Sequence, residues 1–247
     1  VPATPYDEIG RTYARTRRED PRVAATIHAC VGDGRTVLNV GAGTGSYEPV
    51  DRFVVAVEPS NEMLRQRPAH RAPVVRAVAE SLPLGDGAFD VAMAVLTMHH
   101  WHDVDRGLRE MRRVSRRQVV FYFEPLHTHG FWGVEYFPEA IEVVSERDAP
   151  GETELRAALR VREVRPVLVP HDCVDGFGIA YFGRPEAYLD PEVQAGMSWL
   201  ARLSPEVRER GAERLAADLA SGEWDRRYGA LRTTEWFDGG YRIAIAD

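Results

Sequence analysis

The chain has 247 residues, 44% of them hydrophobic, enough to bury one sizeable core and to carry elaborations on it. Its formal charge of -7 gives no net positive field to attract a phosphate backbone, which argues against nucleic acid as a partner. The longest apolar run, 91–98, is far short of the roughly 20 residues needed to cross a bilayer, and no charged-then-apolar leader opens the sequence. A cytoplasmic protein without a membrane partner is expected, as a monomer or homodimer.

Short β-branched runs alternate with helix-length segments. Strands are predicted at 36–41, 53–58, 74–79, 89–96 and 118–124. They are apolar on both faces, as strands of a parallel sheet covered on both sides must be. Between the fourth and fifth, residues 103–115 set Val104, Leu108, Met111 and Val114 at helical spacing with charges between them, which predicts a crossover helix. A sixth strand is predicted near 161–169. The alternation at 241–246 predicts a seventh, antiparallel one. The stretches 125–151 and 171–240 are too long for loops and too aromatic for linkers, so each should hold helices. Two are predicted in the second, at 185–201 and at 205–221, the latter with Ser204 as N-cap and Pro205 at its first position. Cys30 and Cys173 lack CxxC spacing and read as small buried apolar residues in a reducing compartment.

The strongest constellation is Val37-Leu38-Asn39-Val40-Gly41-Ala42-Gly43-Thr44-Gly45-Ser46, an apolar strand running into three alternating glycines. Glycine suits a backbone that must turn sharply and come within contact distance of a ligand. A dinucleotide fingerprint would carry its third glycine one place later, with Gly or Ala where Ser46 stands, and this counts against a nicotinamide cofactor. Glu58 ends the second strand 17 residues beyond Gly41, where a carboxylate can accept both hydroxyls of a ribose. Met63, on the helix that follows, has a polarisable side chain able to lie against an adenine. His99, His100 and His102 directly follow the fourth strand, at the sheet edge where open α/β folds bind ligands, and His99 and His100 are the candidates for a base or an orienting donor. His127 and His129 are a second source of a base. No carboxylate or cysteine pattern completes a metal-binding set around the histidines, so no metal is expected.

VLNVGAGTGSYE, VVAVEPSNEML, AESLPLGDGAFDVAMAV and LTMHHWHD, in that order and spacing, resemble the successive motifs of class I methyltransferases, in particular the type 11 group that includes ubiquinone and menaquinone methyltransferases and many natural-product enzymes. The resemblance covers residues 5–124. It implies an α/β Rossmann-like fold, with a seven-stranded, mostly parallel sheet, helices on both faces and an added helical cap over the substrate. It also implies S-adenosyl-L-methionine as cofactor. Gly41, Ala42, Gly43 and Gly45 would approach its methionine part, Glu58 and Pro59 its ribose, Met63 and Ala79-Glu80-Ser81-Leu82 its adenine, and Leu96 its sulfonium. Tyr6-Asp7-x-Ile9-Gly10, Tyr13 and Arg17 are similar to the helix that closes over the cofactor in such enzymes. A guanidinium can bind both oxygens of an amino-acid carboxylate; Arg17 is the choice, with Arg15 and Arg18 close by.

On this reading residues 1–247 form a single methyltransferase domain. Residues 1–124 would be the cofactor-binding core, and the insertions 125–151 and 171–240 would form the acceptor pocket. Phe131, Trp132, Tyr136 and Phe137 in the first, and Phe177, Tyr181, Phe182, Tyr188 and Trp199 in the second, would supply its aromatic walls. The acceptor is expected to be a small natural-product or quinone-like intermediate, methylated on oxygen before carbon, since the Asn/Asp-Pro-Pro-Tyr/Phe signature of amine-modifying enzymes is replaced by Leu96-Thr97-Met98-His99. A cofactor-binding protein or cyclase that transfers no methyl, and an NAD-dependent oxidoreductase, are the alternatives.

Overall fold

The computed structural model describes residues 16–125, 130–143 and 149–247. Its main sheet has seven strands: β1 (Thr36–Val40), β2 (Phe53–Val57), β3 (Val74–Val75), β4 (Phe89–Val95), β5 (Ser115–Phe123), β6 (Val161–Pro166) and β9 (Tyr241–Ala246), in the order β3-β2-β1-β4-β5-β9-β6. β1 to β5 pair in parallel, while β9 lies antiparallel between β5 and β6. The Rossmann-like expectation holds, including the antiparallel seventh strand.

Alternation along the strands divides the core in two. Val37, Val91, Met93, Val119 and Phe121 face one side, with Val23, Ile27 and Val31 of α1 (Pro21–Val31). Leu38, Val40, Ala92, Ala94 and Val120 face the other, with Leu108, Met111 and Val114 of α3 (Val104–Val114). Those three α3 side chains are fully buried, each stabilising the helix on its sheet by about 1.5–3 kcal/mol. Asp103 caps α3 by accepting from the Arg106 N–H at 2.9 Å. The helix therefore begins where the 103–115 pattern placed it, but ends a residue early, and the chain runs directly into β5 at Ser115.

Three predicted elements differ from the structure. The third strand is two residues long, because the chain turns away after Val75 to build a loop over the sheet edge. The sixth stops at Pro166, and Val169–Pro170 (β7) instead pairs with Trp236–Phe237 (β8) in a separate two-stranded sheet. Prolines 166 and 170, without N–H groups, cannot both continue a ladder. The helix predicted at 185–201 is three pieces: a 3-10 turn at Pro185–Leu189, α6 (Pro191–Gly196) and α7 (Ser198–Ala201). Asp190 caps α6 by accepting from the Glu192 N–H, with Pro191 at N1, so the first break is a helix restart. Gly196 ends α6 where a Cβ would stand 2.0 Å from Thr16 Oγ1. α8 (Pro205–Ser221) matches its prediction, with the Ser204 hydroxyl accepting from the Val207 N–H at 3.3 Å.

The described residues of the first insertion include two short helical turns, α4 (Gly133–Tyr136) and Pro138–Glu142. Trp132 there is buried against Trp224 and Tyr136, Phe137 against Trp199, and Trp132 Nε1 donates to the Phe182 carbonyl at 2.7 Å. Both cysteines are buried free thiols. No helix among the described residues is long and apolar enough to cross a membrane.

Candidate active site

The carboxyl ends of β1, β2 and β4 open onto a cleft of about 1040 Å³, counting space open to solvent. Its floor is the turn after β1. Gly41 and Ala42 donate their N–H groups to the Val57 carbonyl at 2.8 and 3.0 Å, tying the turn to the end of β2. The three glycines all have positive φ (71°, 53° and 94°), but for different neighbours. A Cβ on Gly41 would stand 2.1 Å from Thr97 Oγ1, and one on Gly45 would meet Arg67 and Arg71. A Cβ on Gly43 would meet nothing within 4 Å, because that position faces the open cleft.

Glu58, only 5% exposed, sits beside this turn. One carboxylate oxygen accepts from the Gly43 N–H at 2.7 Å and the other from the Ser60 N–H at 2.8 Å, so the acid is fixed in place. Ser60 caps α2 (Asn61–Gln66) by accepting from the Met63 N–H, and this turn presents Met63 to the cleft wall. Asn39, a polar residue within β1, lines the cleft; its side-chain amide donates to Glu48, while its buried Oδ1 has no partner among the described residues. Beneath the turn, Glu48 and Arg67 form an ion pair at 2.5 Å, each side chain 4% exposed, and Arg67 also reaches the Gly43 and Ala72 carbonyls.

The opposite wall comes from the loops after β3 and β4. Glu80 joins them by accepting from the His102 and Asp103 N–H groups at 2.7 and 3.2 Å. Trp101 lies over Gly107 of α3, where a Cβ would be 2.5 Å from its ring. Leu96, at φ 49°, donates its N–H to the Phe121 carbonyl and lines the cleft at the end of β4.

Leu96 and Arg17 also border a second, smaller cavity of about 420 Å³, again counting space open to solvent. Its walls include His99, Phe123, Phe177, Trp199 and Tyr241. Arg17 stands at the junction, its Nε 2.7 Å from Asp175 Oδ1, while the Tyr47 hydroxyl donates to Asp175 Oδ2 at 2.6 Å. Burial and the Asp175 carboxylate hold Tyr47 in its protonated form.

The His99 and His100 rings lie in contact, centroids 3.8 Å apart and planes tilted by 52°, His99 also packing edge-on against Phe123. Each keeps a partly accessible face toward a cavity, His99 the smaller and His100 the larger. Burial, then the Arg202 and Arg17 charges, push His100 down to about 3. Burial, His100 and the same arginines hold His99 well below the usual imidazole range. Both rings are neutral near pH 7. They can accept or donate one hydrogen bond each, but are weak proton acceptors.

Of the residues singled out in the sequence, Arg17, Gly41, Ala42, Gly43, Glu58, Pro59, Met63, Ala79, Glu80, Leu96 and His100 line the larger cleft. His99 lines the smaller one, with Phe177 and Trp199 from the second insertion. Gly45 packs behind the turn, Ser81 is exposed, and Leu82 is in the core; none of the three lines either cavity. No described residue of 125–151 does so either. Tyr13, Arg15, His127 and His129 lie outside the described residues. Sequence reasoning missed Asn39, Tyr47, Thr97 and Trp101 as cleft residues. Asn39 left a signal, being an amide side chain among the apolar residues that follow Thr36 in the strand.

The family profile described as a methyltransferase domain matches residues 38–123. A crystal structure from Anabaena variabilis, of a protein assigned as a methyltransferase from an antibiotic biosynthesis pathway, is 33% identical; the match covers 94% of this chain and 99% of that one, with a TM-score of 0.86. The demethylmenaquinone methyltransferase of Thermobifida fusca is 30% identical over 149 residues, 53% of this chain and 63% of that protein. The malonyl-[acyl-carrier protein] O-methyltransferase of Geobacter sulfurreducens is 31% identical over 133 residues, 49% and 48% of the two chains. The chain spans about half the length of several curated relatives it matches. With similarity to the Anabaena protein over nearly its whole length, and with this glycine turn and strand-end acid at the sheet's carboxyl edge, the chain belongs to the class I methyltransferases, whose cofactor is S-adenosyl-L-methionine.

Proposed function

We propose that the protein transfers a methyl group from S-adenosyl-L-methionine to an oxygen of a small organic acceptor. The observation that carries this reading is the pair of cavities meeting at Arg17 and Leu96: one is built for a nucleoside-bearing cofactor, and the other, smaller and aromatic, opens onto the same point.

The larger cleft fits the cofactor in three respects. The side-chain-free face of Gly43 leaves room for close approach, the Glu58 carboxylate suits a cis-diol, and the unpartnered Asn39 Oδ1 offers an acceptor inside the cleft. Met63 and Ala79 would flank the adenine, Leu96 would lie beside the sulfonium, and Arg17 would bind the amino-acid carboxylate. When bound, the cofactor supplies a methyl on positively charged sulfur, an electrophile that requires an aligned nucleophile and little water. Residues 1–124 would form the cofactor-binding core and 171–240 the acceptor pocket, through Phe177 and Trp199 with Phe123 and Tyr241 of the sheet. The histidine pair would orient the acceptor by hydrogen bonding, since two neutral rings with depressed basicity are poor general bases at neutral pH. An oxygen acceptor agrees with the Geobacter relative, whose name gives O-transfer.

The test is calorimetry with S-adenosylhomocysteine and with NAD, followed by mass spectrometry of a panel of hydroxylated and carboxylated aromatics incubated with S-adenosyl-L-methionine. One-to-one binding of the nucleoside, none of NAD, and a gain of one methyl on oxygen are expected. Binding of NAD in its place would overturn the reading. Nucleoside binding with release of an isomerised, unmethylated acceptor would instead favour the cyclase alternative.

A further inference from the structure

Three successive residues of the loop after β7 bond to the segment that carries Arg17. The Val174 N–H donates to Asp20 Oδ2 at 3.2 Å, Asp175 Oδ1 accepts from Arg17 Nε at 2.7 Å, and the Gly176 N–H donates to the Thr16 carbonyl at 3.0 Å. The two segments lie so close that a Cβ on Gly176 would stand 2.7 Å from that carbonyl oxygen. Asp175 is the middle of this seam, its side chain 1% exposed. Its second oxygen accepts from the Tyr47 hydroxyl at 2.6 Å, and Arg17 Nη2 lies 3.5 Å from the same oxygen. Donors from two separate parts of the chain thus converge on one carboxylate, and a guanidinium held through its Nε edge by a buried acceptor has its plane largely set. That guanidinium lines both cavities. Two residues beyond Asp175, Phe177 and Gly178 line the smaller one. A single loop of the second insertion therefore walls the smaller cavity and grips an arginine that also faces the larger cleft.

Resting on the reading that Arg17 binds the amino-acid carboxylate of the cofactor, we propose that Asp175 is the positioning residue for that contact, with Tyr47 keeping its carboxylate aimed. The second insertion then belongs to the cofactor site as well as to the acceptor site, acting through Arg17 without touching the ligand. Asp175 has two opposed effects there. Its charge repels a ligand carboxylate, while the geometry it imposes presents the guanidinium already ordered and spares the ligand the cost of fixing a long, rotamer-rich side chain. Ordering is the larger effect: Asp175 lines neither cavity whereas Arg17 lines both, so the repulsion acts over a greater distance than the attraction.

The experiment is calorimetry of the full chain with two ligands: S-adenosylhomocysteine, which carries the amino-acid carboxylate, and methylthioadenosine, which has the same nucleoside and lacks it. Asp175→Asn, whose amide offers one acceptor oxygen where the carboxylate offers two, should weaken S-adenosylhomocysteine about tenfold, and Tyr47→Phe, which leaves both charges in place, about threefold. Methylthioadenosine should change by less than about twofold in either variant. In an Arg17→Gln background, with S-adenosylhomocysteine already weakened, Asp175→Asn should have no further effect, because it acts only through the arginine. A parallel fall for methylthioadenosine, an Asp175→Asn protein that binds S-adenosylhomocysteine as tightly as the parent or more tightly, or the same tenfold loss with Arg17 already replaced would each overturn the proposal. Should Asp175→Asn fail to fold, Tyr47→Phe decides on the same two ligands. An Arg17→Gln protein with undiminished S-adenosylhomocysteine affinity would overturn the proposal together with the Arg17 assignment, whereas failure of the methyl-transfer reading itself would show as absence of S-adenosylhomocysteine binding in the unmodified protein.

Discussion

Gly43 separates two reasons for a glycine that are usually confounded, room for a ligand and backbone conformation. Its φ of 53° imposes a cost on any L side chain of about 1–2 kcal/mol, whatever its size. For a domain of this length that corresponds to a fall in melting temperature of about 2–8 °C. No heavy atom lies within 4 Å of a Cβ at this position, so a larger side chain adds no clash with the protein. Gly43→Ala and Gly43→Leu should therefore melt within a few degrees of each other. Their ligand affinities should part, because the leucine occupies the cleft above the turn. The turn cannot retreat from it, held by the Gly43 N–H to Glu58 and by the Gly41 and Ala42 N–H groups to Val57. A loss of at least 100-fold in S-adenosylhomocysteine affinity relative to the alanine variant, about 2.7 kcal/mol, is expected by calorimetry. If the leucine variant bound within about threefold of the alanine variant, the ligand would not pass over Gly43 and the placement of the cofactor would be refuted.

The ion pair beneath the turn gives a second prediction: Arg67→Met alone should cost about 3–5 kcal/mol in urea unfolding by stranding the buried Glu48, whereas Arg67→Met with Glu48→Leu should recover at least half of it. His100 gives a third. Its folded value near 3 lies below the unfolded 6.5, so in that window the unfolded chain binds the extra proton, and the stability present above pH 6.5 falls as pH drops toward 3. One such group contributes a slope of at most about 1.4 kcal/mol per pH unit, reduced by the contact of the ring with solvent in the cleft. His100→Gln should flatten the decline in urea midpoint between pH 7 and pH 5, and a decline as steep as in the parent would place the effect elsewhere.

Elements whose periodicity reflects one dominant partner were readable from the residues. β1, β2 and β4 alternate between two cores, and α3 has a single apolar face, so their patterns are strong and their positions were anticipated. The glycine turn was legible because three alternating positive-φ positions within five residues leave few alternatives to glycine. The 185–201 region was not, since Asp190-Pro191 restarts the helix with Asp190 as N-cap, and the close approach of Thr16 to Gly196 at the second break is a contact with a distant part of the chain. Within the site, Glu58 and Met63 stood out by type and spacing. Tyr47 and Asp175 meet through a 128-residue separation, and no local pattern announces such a pair. The aromatic residues of 125–151 illustrate the converse: composition marked them for a ligand wall, while Trp132 and Phe137 pack inside the protein.

β9 lies between β5 and β6, joined to both by antiparallel pairing. During synthesis on the ribosome, the edge of β5 stays open, and β6 has no neighbour, until residues 241–246 have left the exit tunnel. A nascent chain arrested anywhere before that point exposes an apolar strand edge for other chains to pair with, so any truncation that removes β9 should produce aggregates rather than a smaller working enzyme.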